Sequence, residues 1–129
     1  PKEINNLMIL NNDKNIKCVL GNRFKKLKPF KSKWDFGNYF FTLLFNFLHQ
    51  SDIKDSLCCA KAFYRHDINP ENLKSSKFDI DIELASILIK KHKKPTSLLI
   101  SYHRRSRNEG KKLQVSDGIS ILRRIINFF

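Results

Sequence analysis

Cysteine is scarce in this chain: three in 129 residues, at Cys18, Cys58 and Cys59. They form no CxxC pair and no His-linked zinc spacing, which argues against a zinc- or disulfide-stapled scaffold. An odd count suits a reducing compartment, where the sequence predicts cysteines acting as buried small hydrophobes. Adjacent Cys58 and Cys59 do not suit a bond to each other, because neighbouring side chains on a strand alternate. Acidic residues are also few, 12 against 25 Lys and Arg, leaving a net charge of +13. That imbalance favours anionic partners: nucleic acid, phosphorylated substrates or anionic lipid. No apolar run reaches the roughly 20 residues that a spanning helix needs. The nearest, 36–48, is interrupted by Gly37, Asn38, Thr42 and Asn46. It reads as a core helix or as one lying in a membrane interface. The first residues carry no signal-peptide pattern. There is no internal repeat, no low-complexity segment, and no RRM, zinc-finger or helix-turn-helix signature. The four histidines, His49, His66, His92 and His103, are scattered and carry no assigned role.

What is present is enough apolar material to fold. Hydrophobic residues make up 41% of the chain, eleven of them Phe. This length and content predict one packed domain over 1–129. Basic residues concentrate at 25–33, 90–94 and 104–112. Pro1, Lys2, Glu3 and Ile4 read as a first helical turn, continued by an apolar stripe of Ile4, Leu7 and Met8. Residues 16–20 read as a strand closed by Gly21, and a basic loop runs on to Lys33. Residues 36–49 read as a helix, apolar nearly all round and therefore buried on several sides. Residues 57–64 read as a strand, and Asn69-Pro70-Glu71 as the start of a short turn. Residues 78–89 carry Ile80, Leu84, Ile87 and Leu88 at helical spacing. The lysine run 90–94 suits that helix's negative end, and Pro95 stops it. Residues 96–102 read as a strand. A last helix starts at Ser116-Asp117, with a stripe of Val115, Ile119, Leu122, Ile126 and Phe129. The alternation of helices and strands predicts an α/β architecture.

Five segments recur in a recognisable order. The first runs from Pro1 and Ile4 to Gly21-Asn22-Arg23-Phe24. The second is Gly37-Asn38 with Thr42 and Asn46. The third is Asp55 through Cys58, Lys61 and Phe63 to Arg65. The fourth is Phe78-Asp79-Ile80-Asp81-Ile82-Glu83-Leu84. The fifth is Tyr102 and Arg105, then Glu109-Gly110-Lys111-Lys112, followed by Asp117-Gly118. In order and spacing the series resembles the family 2 glycosyltransferases that use polyprenyl-phosphate acceptors, such as dolichol-phosphate mannose synthases. It departs from the family pattern at Asn22, where a Ser is usual, and at Ala60, where an aromatic is usual.

The resemblance implies the C-terminal part of a GT-A-like nucleotide-sugar transferase fold, with helices packed on a short mixed sheet. The donor-binding half, ending in a metal-binding DxD, would precede Pro1. The complete enzyme would use a divalent metal, magnesium or manganese, with most ligands outside these residues. It would move a sugar from a nucleotide-sugar donor to a lipid phosphate, as a peripheral protein on the cytoplasmic face of a membrane. Two phosphorylated molecules must then be held together against their repulsion. Arginine suits phosphate through its planar fork. The resemblance accordingly assigns phosphate or acceptor contacts to Arg23, Lys33, Asp55, Arg105, Lys111 and Lys112. Asp55 orients the acceptor or a basic neighbour. Asp81 and Glu83 are positioning carboxylates, since a phosphate acceptor is already ionised and needs little general base. Alone, the 129 residues are expected not to turn over. Two other readings compete. One is a basic nucleic-acid-binding module, suggested by the charge and by Arg104-Arg105-Ser106-Arg107. The other is a noncatalytic remnant that pairs with a separate donor-binding chain.

Overall fold

Residues 2–25, 31–75, 77–103, 108, 114 and 116–128 are described in the computed structural model, residues 2 and 3 by backbone alone. Arg105, Glu109, Lys111, Lys112, Val115 and Phe129 lie outside the described residues. The elements run α1 (Lys2–Leu7), β1 (Cys18–Asn22), α2 (Lys33–His49), β2 (Lys61–Phe63), two 3-10 turns (Arg65–Asp67 and Pro70–Asn72), α3 (Ile80–His92), β3 (Thr96–Leu99) and α4 (Asp117–Asn127). The architecture is α/β, with helices on a small mixed sheet ordered β2-β1-β3. β1 is antiparallel to β2, with Cys18 opposite Phe63, and parallel to β3, with Val19 beside Thr96.

β1 is the central strand and is buried on both faces, as its unbroken apolar run requires. Cys18 and Leu20 point into the helix-side core, while Val19 is buried without belonging to it. The strand begins two residues later than the spacing suggests. Ile16 instead bridges Asn11 across a tight turn in which Asn15 has φ 56°. β2 is shorter than 57–64 because the chain before it is held elsewhere: the Ser56 amide donates to Thr42 Oγ1 at 3.2 Å. β3 likewise stops at Leu99, although the Ile100 amide still donates to the Asn22 carbonyl.

α2 starts three residues before the expected Phe36, because Ser32 caps it. The Ser32 hydroxyl accepts from the Asp35 amide, and Asp35 sits at the positive end of the helix. The helix ends at Gln50 in a left-handed conformation. α3 buries Ile82, Ala85, Leu88 and Ile89 and carries Lys90, Lys91 and His92 in its last turn. After it, Lys93 takes φ 57°, and the Lys94 amide reaches the His92 carbonyl at 2.6 Å, a strained γ-turn ahead of Pro95. The core gathers Phe45, Ile82, Leu88, Ile121 and Ile125 over Leu20.

Three expectations are corrected. The inner face of α4 is Ile121 and Ile125, while Ile119 and Ile126 are exposed. Ile121 and Ile125 join the core, and the neighbouring Arg124 reaches Asp79. Ile4 of α1 and Met8, just past its end, stay exposed rather than packing. Of the cysteines, Cys18 and Cys58 are buried, whereas Cys59 faces solvent.

Candidate functional site

The end of β1 is the most constrained place in the fold. A Cβ on Gly21 would lie 2.8 Å from the Ala60 carbonyl oxygen and 3.0 Å from Cys58 Sγ, so only glycine lets β1 and the chain entering β2 approach this closely. Asn22 Oδ1 then accepts from the Phe24 amide at 2.9 Å, which turns the chain and aims Arg23 inward. Arg23 meets Asp55 edge-on, Nε to Oδ2 at 2.7 Å and Nη2 to Oδ1 at 2.8 Å. The Arg23 amide also donates to Asp55 Oδ2. Nη2 reaches Asn38 Oδ1 at 3.4 Å. The guanidinium carbon lies 5.4 Å from the Phe24 ring centroid and 5.2 Å from that of Tyr102. Burial works against this charge, but Asp55 outweighs it and holds the guanidinium above its usual range. Burial, with Asp55 close by, pushes the Cys58 thiol up to about 11.

α2 presents its polar side to this cluster. Thr42 and Ser56 hydroxyls lie 3.0 Å apart. Asn46 grips Ile53 by both backbone groups: Nδ2 donates to the Ile53 carbonyl at 2.9 Å, and Oδ1 accepts from its amide at 3.0 Å. The segment 51–56 is thus fastened along a helix by side chains, which leaves Asp55 fixed beneath Arg23.

The two carboxylates of α3 do not act as a pair. They lie two residues apart on a helix, about 200° around its axis. Lys61 Nζ reaches Asp81 Oδ1 at 3.3 Å and also donates to the Cys58 carbonyl. Glu83 is fully buried and accepts from the Lys74 amide at 2.9 Å and the Ser75 amide at 2.7 Å. Burial opposes the Glu83 charge, yet Ser75 and these two amides hold its carboxyl below the usual range. Asp79 accepts from Arg124 Nε at 3.0 Å and Nη2 at 2.9 Å. Burial again opposes the charge, and Arg124 with Ser75 keeps the Asp79 carboxyl low.

Asp79-Ile80-Asp81 therefore spells a DxD on the first turn of α3, but each carboxylate already holds a different cation. Among the described residues no group of His, Cys, Asp and Glu is arranged to hold a metal ion. These residues do not fit the divalent ion that the resemblance implies, and no step is routed through one.

Lys33 is exposed at the first position of α2, its Nζ 5.5 Å from the Trp34 ring centroid. Arg23 and Asp55 are brought together; Asp81 lies on the same side through Lys61 and Cys58; Glu83 faces the 74–75 loop. The roles of Lys61, Asn38, Tyr102 and Arg124 were not expected. For Lys61 the available signal was a lone cation inside the apolar stretch 57–64. For Arg124 it was a cation between Ile121 and Ile125.

A second polar centre lies at the C-terminal end of α3. Asp67 is buried and meets Lys91 Nζ at 2.9 Å and His92 Nε2 at 3.0 Å, tying the first 3-10 turn to the end of α3. A cleft of about 260 Å³ opens between Leu20, Gly21, the 52–55 segment, Lys93, Lys94 and Ser97. Asp55 thus forms one wall of this cleft while its carboxylate holds Arg23. Lys54 is engaged there with Asp52, at 2.9 Å.

No family model matches the chain, and neither does any curated protein or solved structure.

Proposed function

We propose that this chain is the acceptor-side part of a family 2, GT-A-like glycosyltransferase, passing a sugar from a nucleotide-sugar donor to a polyprenyl-phosphate-type lipid at a membrane surface. In that reaction a phosphate oxygen of the acceptor attacks the anomeric carbon, and the bond from that carbon to the nucleotide's phosphate oxygen breaks. The donor-binding half, with its metal ligands, is contributed by residues outside these 129. The observation that supports the reading is convergence. Arg23 comes from the first of the five segments, Asn38 and Thr42 from the second, Asp55 and Lys61 from the third, Asp81 from the fourth and Tyr102 from the fifth. Around the end of β1, Arg23 touches Asp55, Asn38 and Tyr102, while Thr42 joins them through Ser56 and the Lys61–Asp81 pair through the Cys58 carbonyl. A fortuitous series of short motifs would have no reason to meet in one place. The exposed Ile4 of α1 and Met8 just past it suit the further proposal that a donor-binding half packs on this chain.

In this arrangement Asp55 orders Arg23, and Phe24 and Tyr102 shield the guanidinium, so that one cation is fixed at the mouth of the acceptor site. Lys33, with Arg105, Lys111 and Lys112 from outside the described residues, would supply the remaining positive charge. The test is titration with farnesyl phosphate and, in parallel, with farnesol, followed by amide chemical shifts. Phosphate-dependent shifts at Arg23, Lys33 and Tyr102 are expected, and no sugar transfer by the isolated chain. Equal responses to phosphate and alcohol, or tighter binding of a single-stranded oligonucleotide at the same residues, would sink the proposal.

A further inference from the structure

α2 has a mixed inner face, on which Phe45 is buried and Phe41, Leu44 and Leu48 pack on the core. Its polar residues Asp35, Asn38, Thr42 and Asn46 face the protein, where Asn38, Thr42 and Asn46 hold Arg23, Ser56 and Ile53. Its opposite side is apolar and open: Phe36 is 52% exposed, Tyr39 42%, Phe40 43%, Leu43 55% and Phe47 79%. At 100° per residue these five fall on one stripe, about 16 Å from Phe36 to Phe47 at 1.5 Å per residue. Singly exposed apolar residues are ordinary, but a contiguous aromatic stripe on a helix whose polar face is used internally marks a contact surface.

We propose that this stripe docks α2 flat into the interfacial layer of an anionic lipid bilayer. The charges around it select that occupant. The exposed side carries no acidic residue, and Lys31 and Lys33 are exposed at its N-terminal end. Aromatic rings on one face and lysines at the margins are the makeup of helices that lie in the headgroup region. A chain of net charge +13 is drawn to an anionic surface and repelled by a second copy of itself. Among the described residues no helix is long and apolar enough to cross a membrane, so contact through this helix is lateral. The inference rests on the membrane-surface part of the reading above. Its test contains neither lipid phosphate acceptor nor nucleotide sugar, so the two fail separately.

The full chain is mixed with vesicles of phosphatidylcholine and phosphatidylglycerol in equal parts, and with pure phosphatidylcholine, and the bound fraction is measured by sedimentation. Binding to the anionic vesicles is expected. Phe40→Ser with Phe47→Ser should weaken it about tenfold or more, with the circular dichroism spectrum unchanged. Lys31→Gln and Lys33→Gln should weaken it about fivefold each. If the double serine variant loses structure, Phe47→Ser alone, at the most exposed position, carries the test and should still weaken binding. Absence of binding to anionic vesicles overturns the proposal, as does unchanged binding by the serine variants. So does a stable dimer in solution that the same serine substitutions dissolve, which would make the stripe a contact between copies.

Discussion

Arg23 and Asp55 are thirty-two positions apart and share two parallel hydrogen bonds, of 2.7 and 2.8 Å, with the Asp55 carboxylate wholly out of solvent. Removing the cation strands a buried negative charge, which is far more costly than losing the attraction itself. Arg23→Ala should lower unfolding stability by about 3–5 kcal/mol in urea titrations. Arg23→Lys should recover only part of this, because an ammonium cannot make the two-pronged contact. Replacing both residues by Leu should cost less than Arg23→Ala alone.

Asn46 gives a counterintuitive case. Asn46→Leu raises the apolar content of a helix, yet it leaves the Ile53 amide and carbonyl without partners. A loss of about 1–3 kcal/mol is expected by chemical denaturation. A neutral or stabilising result would mean that the 51–56 segment is held by something other than this side chain.

Two glycines should respond with opposite signs. Gly21→Ala places a methyl against the Ala60 carbonyl and should destabilise by about 1–3 kcal/mol. Gly37 faces open space within α2, so Gly37→Ala should stabilise by up to about 1 kcal/mol through helix propensity. Paired thermal melts read both.

Acid should unfold the chain in two stages. Burial chiefly, and Lys90 next, depress the proton affinity of His49. A depressed histidine is preferred neutral in the fold, so the unfolded state takes up protons first and stability falls below about pH 6.5. Asp67, Asp79 and Glu83 are depressed carboxyls. Their contribution is complete above the unfolded carboxylate values near 4 and is lost as pH drops through the folded ones. Stability measured against pH should show both stages, and His49→Phe should remove the first.

Arg124 docks α4 to the start of α3. Arg124→Ala should speed amide hydrogen exchange in α4 selectively and cost about 1.5–3 kcal/mol. Exchange that rises uniformly through the chain would assign Arg124 to global stability instead.

How much of this was legible beforehand follows from the forces involved. α3 was readable as a helix from Ile80, Leu84, Ile87 and Leu88 and from the lysines at its end, but of these four only Leu88 is buried, and the inner face is Ile82, Ala85, Leu88 and Ile89. β1 was readable as an apolar run, but its register was not, since the Asn11–Ile16 bridge depends on a left-handed Asn15. α2 was legible as a helix buried on several sides, but not which side stays open: Phe36, Tyr39, Phe40, Leu43 and Phe47 are exposed, while the inner face joins Phe45 to the hydrogen bonds of Asn38, Thr42 and Asn46. In α4 the stripe named from the sequence left out Ile121 and Ile125, the two positions that the core buries. In the candidate site, Arg23 and Asp55 were named from the sequence, and the structure brings those two together. The pairings, Arg23 with Asp55 and Lys61 with Asp81, were not legible, because partners twenty or more positions apart leave no local signature.

The division of the cysteines gives the protein an internal gauge. Cys18 and Cys58 are enclosed, with thiols pushed up to about 11, while their neighbour Cys59 stands in solvent. An alkylating reagent at neutral pH therefore meets one reactive sulfur in the native chain and three in the unfolded chain. The mass increments of a brief labelling pulse count folded and unfolded molecules directly, with no tag or dye added and no substitution made.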